Sequence, residues 1–198
     1  MSEPAAGTTD PIEHVVLLLM ENHSFDQMLG CLDEVHPGLD GVQNASTSTN
    51  VDGHGGTFKP APRTERQMLN DPSHDQPSVL KQLANGNGGF VRAFTDEFPK
   101  STTEERQYVM VYYPRGFLPA LHTLGENFTV CDRWFSSLPG PTWPNRFFAL
   151  SGTCMGEVAM PAGLEGLEGK WYVEQEQETI FDRLDTAGKS WHIYYYDF

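Results

Sequence analysis

The sequence predicts an α/β fold built on a largely parallel sheet. Three observations carry this expectation. Ile12 to Met20 is a β-rich apolar run that does not alternate, the pattern of a strand covered on both faces. Two later runs, Phe128 to Phe135 and Ser190 to Tyr196, read as further strands. Segments of helical spacing separate the three, and strands alternating with helices assemble into parallel sheets.

The elements follow in chain order. The first strand stops abruptly at Glu21-Asn22. Ser24 stands three residues ahead of Gln27, a capping-box spacing that opens a short helix through Leu29, with Gly30 to close it. Gly38 to Pro72 is dense in Gly, Asn, Ser, Thr and Pro and reads as a loop-rich insertion. Gln76 to Ala84 and Phe90 to Phe98 have helical spacing, separated by the breaker Asn85-Gly86-Asn87-Gly88-Gly89. Phe117 to Leu124 is another short helix. Beyond the second strand, the tight loop Ser136 to Pro141 leads to Thr142 and a helix through Leu150. Thr179 caps a last helix to Ala187, which Gly188 stops before the third strand.

Composition narrows the function classes. The chain has 198 residues, with 27 Asp and Glu against 13 Lys and Arg, a formal charge of -14. Such a chain repels phosphate backbones, so nucleic acid is excluded as an expected partner. A phosphate substrate remains open, because a bound cation reverses the local field. Cys31, Cys131 and Cys154 have neither the even count of a disulfide framework nor zinc-site spacing. No positively charged segment precedes the apolar run, which itself is too short to span a bilayer. The expectation is a cytoplasmic protein without a transmembrane segment.

Two strand ends carry candidate chemistry, since ligands of open α/β sheets gather there. Glu21 and Asn22 offer a carboxylate and an amide carbonyl, hard oxygen donors suited to a divalent cation. The same pair also suits a plain solvated turn. Downstream, a Pro/Gly-stiffened loop delivers the Thr142 hydroxyl to a helix start, where free N–H groups favour an anion. A nearby metal would make that hydroxyl a nucleophile. Thr142 equally serves as an ordinary helix-opening residue.

Glu21-Asn22-His23-Ser24-Phe25-Asp26-Gln27-Met28-Leu29-Gly30 resembles the E-N-R-S-F-D-x-x-x-G motif of a phosphoesterase family. That family contains bacterial non-haemolytic phospholipases C, plant non-specific phospholipases C and acid phosphatase A. Gly140-Pro141-Thr142-Trp143-Pro144-Asn145-Arg146 is similar to its T-x-P-N-R motif, in the right order. Cys131 to Ser136, Ser151-Gly152-Thr153 and Ile180 to Phe198 look familial too, so the likeness covers residues 10–198, as one domain. The departure is His23, where the family has Arg.

The resemblance implies an alkaline-phosphatase-like α/β/α sandwich that hydrolyses phosphate esters, phospholipids among them. It implies Glu21, Asn22 and Thr142 as ligands of a divalent metal ion and Thr142 as the nucleophile that forms a phospho-enzyme. It further implies contact with the substrate phosphate from His74, in His74-Asp75, and from Asn145. Thr at the nucleophile position resembles the phospholipase C branch, and Ser the acid phosphatase branch. The family's later D-E-x-x-G-x-x-D-H region, which supplies further acidic ligands, has no counterpart after Thr142. The sandwich is therefore expected to be incomplete here, as an amino-terminal half. The alternatives are an acid phosphatase or other phosphodiesterase of the same fold, or a non-catalytic remnant.

Overall fold

The computed structural model describes residues 11–43, 49–68, 70–160 and 177–195. Helix α1 (Phe25–Met28) is capped by the Ser24 hydroxyl, which accepts the Gln27 N–H at 3.1 Å. It runs into a 3-10 turn, Gly30–Glu34. Strands β1 (Asn50–Val51) and β2 (Thr57–Phe58) pair antiparallel, and β3 (Ala61–Pro62) pairs parallel with β4 (Val111–Tyr112). Helices α2 (Gln76–Asn87), α3 (Phe90–Glu97) and α4 (Thr103–Tyr108) lie between the members of the second pair in sequence. α5 (Pro119–Asn127), α6 (Thr142–Ser151) and α7 (Ile180–Thr186) follow. The result is a mixed α/β chain with small sheets. Among the described residues no helix is long and apolar enough to cross a membrane.

Helical expectations and structure agree closely, with informative detail. α2 loses helical geometry at Ala84–Gly86, where Asn85 and Gly86 take φ of 56° and 65°. That is where the Asn/Gly breaker begins. α4 went unanticipated, although Thr102 and Glu105 form a full capping box there. The supposed loop of residues 38–72 holds three short strands, of which residues 44–48 and 69 lie outside the described set. Asp52 makes the first turn possible. Its carboxylate accepts the N–H groups of His54 at 2.8 Å and Gly56 at 2.9 Å, folding β1 back on β2.

The strand expectations need correction. Ile12 to Met20, Phe128 to Phe135 and residues 190–195 form no ladder among the described residues; Tyr196 lies outside them. Val16 is 91% exposed, Trp134 83% and Tyr194 89%. A strand is defined by its neighbour's backbone as much as by its own side chains. These three runs have the composition and lack the neighbour.

Apolar packing gathers instead behind α1. Cys31, Leu32 and Leu39 are buried, with Phe25, Leu29, Val35, Tyr112 and Val130 against them. Gly125 of α5 approaches so closely that an added Cβ would strike Leu32 Cδ1. The buried His122 ring locks the same contact: its Nδ1 accepts the Gly116 N–H at 2.8 Å, and Nε2 donates to Met28 O at 2.9 Å. Tyr113 N–H donates to Gln27 O at 2.9 Å, tying β4 to α1 as well. The carboxyl end of α1 is thus held from two sides. A second packed region joins α3 to β1 through Asn50, whose carboxamide accepts the Val91 N–H and donates to Asn87 O.

Candidate active site

Asn22 turns the chain sharply at the end of the apolar run, with φ of 64°, a left-handed conformation that Asn tolerates better than most residues. His23 Nδ1 donates to Gln27 Oε1 at 2.6 Å along α1. Glu21 and Asn22 therefore sit immediately ahead of an anchored helix. A cleft of about 180 Å³ opens beside them, lined by Met20, Glu21, His23, Ser24, Phe25, Met28 and Leu121.

Thr142 is the first residue of α6. The residue before it, Pro141, offers no side-chain cap, so no side chain closes the first-turn N–H groups. Pro141 and Pro144 are buried on either side, and Thr142 itself is half-buried. The structure joins this helix to the first motif directly. Arg146, on the first turn and a half of α6, donates from Nε to Glu21 Oε2 at 3.2 Å, across 125 residues of sequence. Both side chains are close to half exposed, so the ion pair contributes more to register than to stability.

Asn145 and His74 take places of their own. The Asn145 carboxamide faces the loop before Thr142, where it bonds Leu138, Gly140 and Pro141. His74 is half-buried ahead of α2, with Nδ1 donating to Pro72 O at 3.5 Å. The following Asp75 caps α2 through Ser78 N–H at 2.8 Å. A Cβ placed on Gly140 would lie 3.4 Å from Gln76 Cβ, so the start of α2 abuts the Thr142 loop. The segment carrying His74 is thereby brought towards Thr142, through backbone packing rather than a side-chain bond.

The family model described as the phosphoesterase family matches residues 12–198. This chain belongs to the phosphoesterase family. Among relatives of this family member, non-specific phospholipase C4 of Arabidopsis thaliana is 32% identical over 93% of the chain and 36% of its own length. Non-specific phospholipase C3 of the same plant is 30% identical over 100% of the chain and 39% of its own length. Phospholipase C B of Mycobacterium tuberculosis (strain ATCC 25618 / H37Rv) is 30% identical over 96% of the chain and 39% of its own length. The chain thus spans under two-fifths of the relatives it matches.

A divalent ion suits this phosphoesterase corner in donor chemistry. Glu21, Asn22 and Thr142 offer oxygen alone, as a hard cation requires. Among the described residues, no three His, Cys, Asp or Glu side chains converge in a metal-binding group. The candidate set therefore brings one negative charge. Arg146 engages Glu21 Oε2. Two features escaped the sequence reading. One is the Glu21–Arg146 pair, for which nothing local signals a partner 125 residues away. The other is the engagement of Asn145 with its own loop, for which the prolines gave a clue: Pro139 and Pro141 have no N–H to satisfy neighbouring carbonyls.

Proposed function

We propose that this chain carries the nucleophile side of a metal-dependent phosphoesterase of phospholipase C type. The observation that supports the reading is the contact of Arg146, four residues past Thr142, with Glu21. Two motifs far apart in sequence then serve one site. Thr142 Oγ attacks phosphorus in line, and the P–O bond to the alcohol breaks. The hydroxyl proton passes to water, and the departing alkoxide regains one. Water then hydrolyses the phosphothreonine, releasing Thr142. The uncapped first turn of α6 faces negative charge favourably throughout. A divalent cation held by Glu21, Asn22 and Thr142 would depress the hydroxyl's pKa and offset phosphoryl charge. His74, on the segment that leads into α2, is the candidate for contact with the phosphate.

In this reading Ile12 to Met20 is the strand whose carboxyl end presents Glu21, within an alkaline-phosphatase-like α/β/α sandwich. The unbroken apolarity of the run supports that placement; among the described residues it has no strand beside it. The experiment is turnover of a chromogenic phosphorylcholine ester, beside a chromogenic phosphomonoester, with and without divalent ions. Thr142→Ala is expected to lose at least about a thousandfold in rate, roughly 4 kcal/mol of barrier. A variant within about tenfold of wild type, roughly 1.4 kcal/mol, would remove Thr142 from the role. Preference for the monoester would move the assignment to the acid phosphatase type.

A further inference from the structure

We infer that Asn145 is a positioning residue for Thr142, acting through the loop that precedes it, and not a group that touches substrate. The inference rests on the reading of Thr142 as nucleophile. Asn145 lies one turn into α6, yet its carboxamide reaches back towards the loop. Oδ1 accepts the Leu138 N–H at 3.0 Å, and Nδ2 donates to Leu138 O at 3.0 Å. The side chain closes on Leu138 as one peptide group closes on another in an antiparallel pair. Nδ2 also donates to Gly140 O at 3.2 Å and Pro141 O at 3.1 Å, so its two hydrogens are shared among three carbonyls.

The need for this arrangement follows from the loop's composition. Pro139 and Pro141 have no N–H, and neither does Pro144 in the first helical turn. The segment is therefore rich in carbonyls and poor in donors. It cannot fold on itself through its own backbone, and Pro141 at the cap position provides no capping side chain. Within the loop the Ser136 hydroxyl donates to Leu138 O at 3.1 Å, and Asn145 supplies donors to Leu138, Gly140 and Pro141 carbonyls from inside the helix, the reverse of an ordinary cap.

The consequence for Thr142 is geometric. Pro141 C=O and Thr142 N–H belong to one planar peptide unit, so fixing the oxygen fixes the plane. That plane fixes the Thr142 N–Cα bond, and the helical turn of Thr142 about that bond then directs Cβ and the arc its Oγ can sweep. Gly140 O fixes the preceding plane in the same way. In-line attack tolerates little error, since a displacement of about 1 Å can cost on the order of a hundredfold in rate. A carboxamide engaged by four loop contacts has no donor left over for a phosphate, which separates this role from direct substrate binding.

The test uses the full-length protein with a soluble chromogenic phosphoester, and reads kcat and KM separately. Asn145→Ala is expected to lower kcat by about fiftyfold, within the range a misplaced nucleophile produces, with KM unchanged within about threefold. Hydrogen exchange at the Leu138 amide should accelerate at least about tenfold. Asn145→Asp keeps the acceptor for Leu138 N–H and loses both donors. It should retain slow exchange at Leu138 while kcat falls as in the alanine variant, so it carries the test should Asn145→Ala fail to fold. A raised KM with kcat intact overturns the inference in favour of substrate contact. Wild-type kcat in Asn145→Asp overturns it in favour of a purely structural staple. Thr142→Ala is measured in parallel: wild-type turnover there overturns the phosphoesterase reading itself. Loss of turnover there beside an active Asn145→Asp overturns the positioning role alone.

Discussion

At Cys31 the thiol is buried beside the His122 ring, and burial, followed by the charge of Glu34, pushes its pKa to about 11. The thiolate is the reactive form, so this sulfur is chemically quiet at neutral pH. Cys154 is buried too, whereas Cys131 is exposed. An aromatic disulfide reagent at pH 8 is expected to label one thiol in seconds to minutes, Cys131, with the other two reacting on the timescale of unfolding. Fast labelling of Cys31 would mean that the α1–α5 contact opens readily. Glu21 is a residue of the opposite kind, half exposed with a single cationic neighbour. Glu21→Gln is expected to weaken divalent-cation affinity by at least about tenfold while leaving Tm within a few degrees, since it removes an anionic ligand and no packing. Calorimetric titration of both proteins reads the difference; equal affinities would reduce Glu21 to a partner of Arg146.

The turn between β1 and β2 shows how a single carboxylate can organise an element. Asp52 is buried, accepts two backbone N–H groups, and meets Arg106 of α4 at 2.8 Å. The His54 N–H above all, with the Gly56 N–H and the Arg106 guanidinium, holds its carboxyl below the usual range against the opposing effect of burial. A group with a depressed folded pKa stabilises the fold above its unfolded value, about 3.9, and that contribution fades as pH falls through the folded pKa. Thermal melts of wild type and Asp52→Asn are therefore expected to differ most at pH 6 and to draw together as pH falls below about 3.9, the unfolded value. A constant gap across that range would place the effect in shape and not in charge. Elements of this kind also mark what sequence patterning reveals. Ser24 and Thr179 announced the starts of two helices, because capping is settled within a few residues. The Asn85-Gly86 break was legible for the same reason. The ladders were not, since Ala61 pairs with Val111 and no local pattern names a partner fifty residues on. At the candidate site, Glu21, Asn22 and Thr142 were legible as residue types at element ends. Their link through Arg146, and the turning of Asn145 towards its loop, depend on tertiary contacts.

Among the described residues, exposed apolar groups gather in runs at Val15 to Met20, at Trp134-Phe135 and at Ile193 to Tyr195. Exposed apolar side chains gathered in such runs favour association. The charge of -14 opposes this at neutral pH and fades towards the isoelectric point near 4.7. Sedimentation of the 198-residue chain at pH 7 is expected to show concentration-dependent self-association, reduced in Val16→Lys. A strict monomer at about 100 μM, well into the range where exposed apolar surface aggregates, would show these runs to be covered. The 125-residue separation of Glu21 and Arg146 sets a clock on the same exposure. A ribosome adding about 5–20 residues per second releases Glu21 roughly 6–25 seconds before Arg146 emerges. For that interval the apolar run from Val15 waits beside the exit tunnel with its terminal carboxylate unmatched. A holdase that binds short apolar segments would have its longest opportunity there, and delaying translation between the two motifs should lengthen the association in proportion.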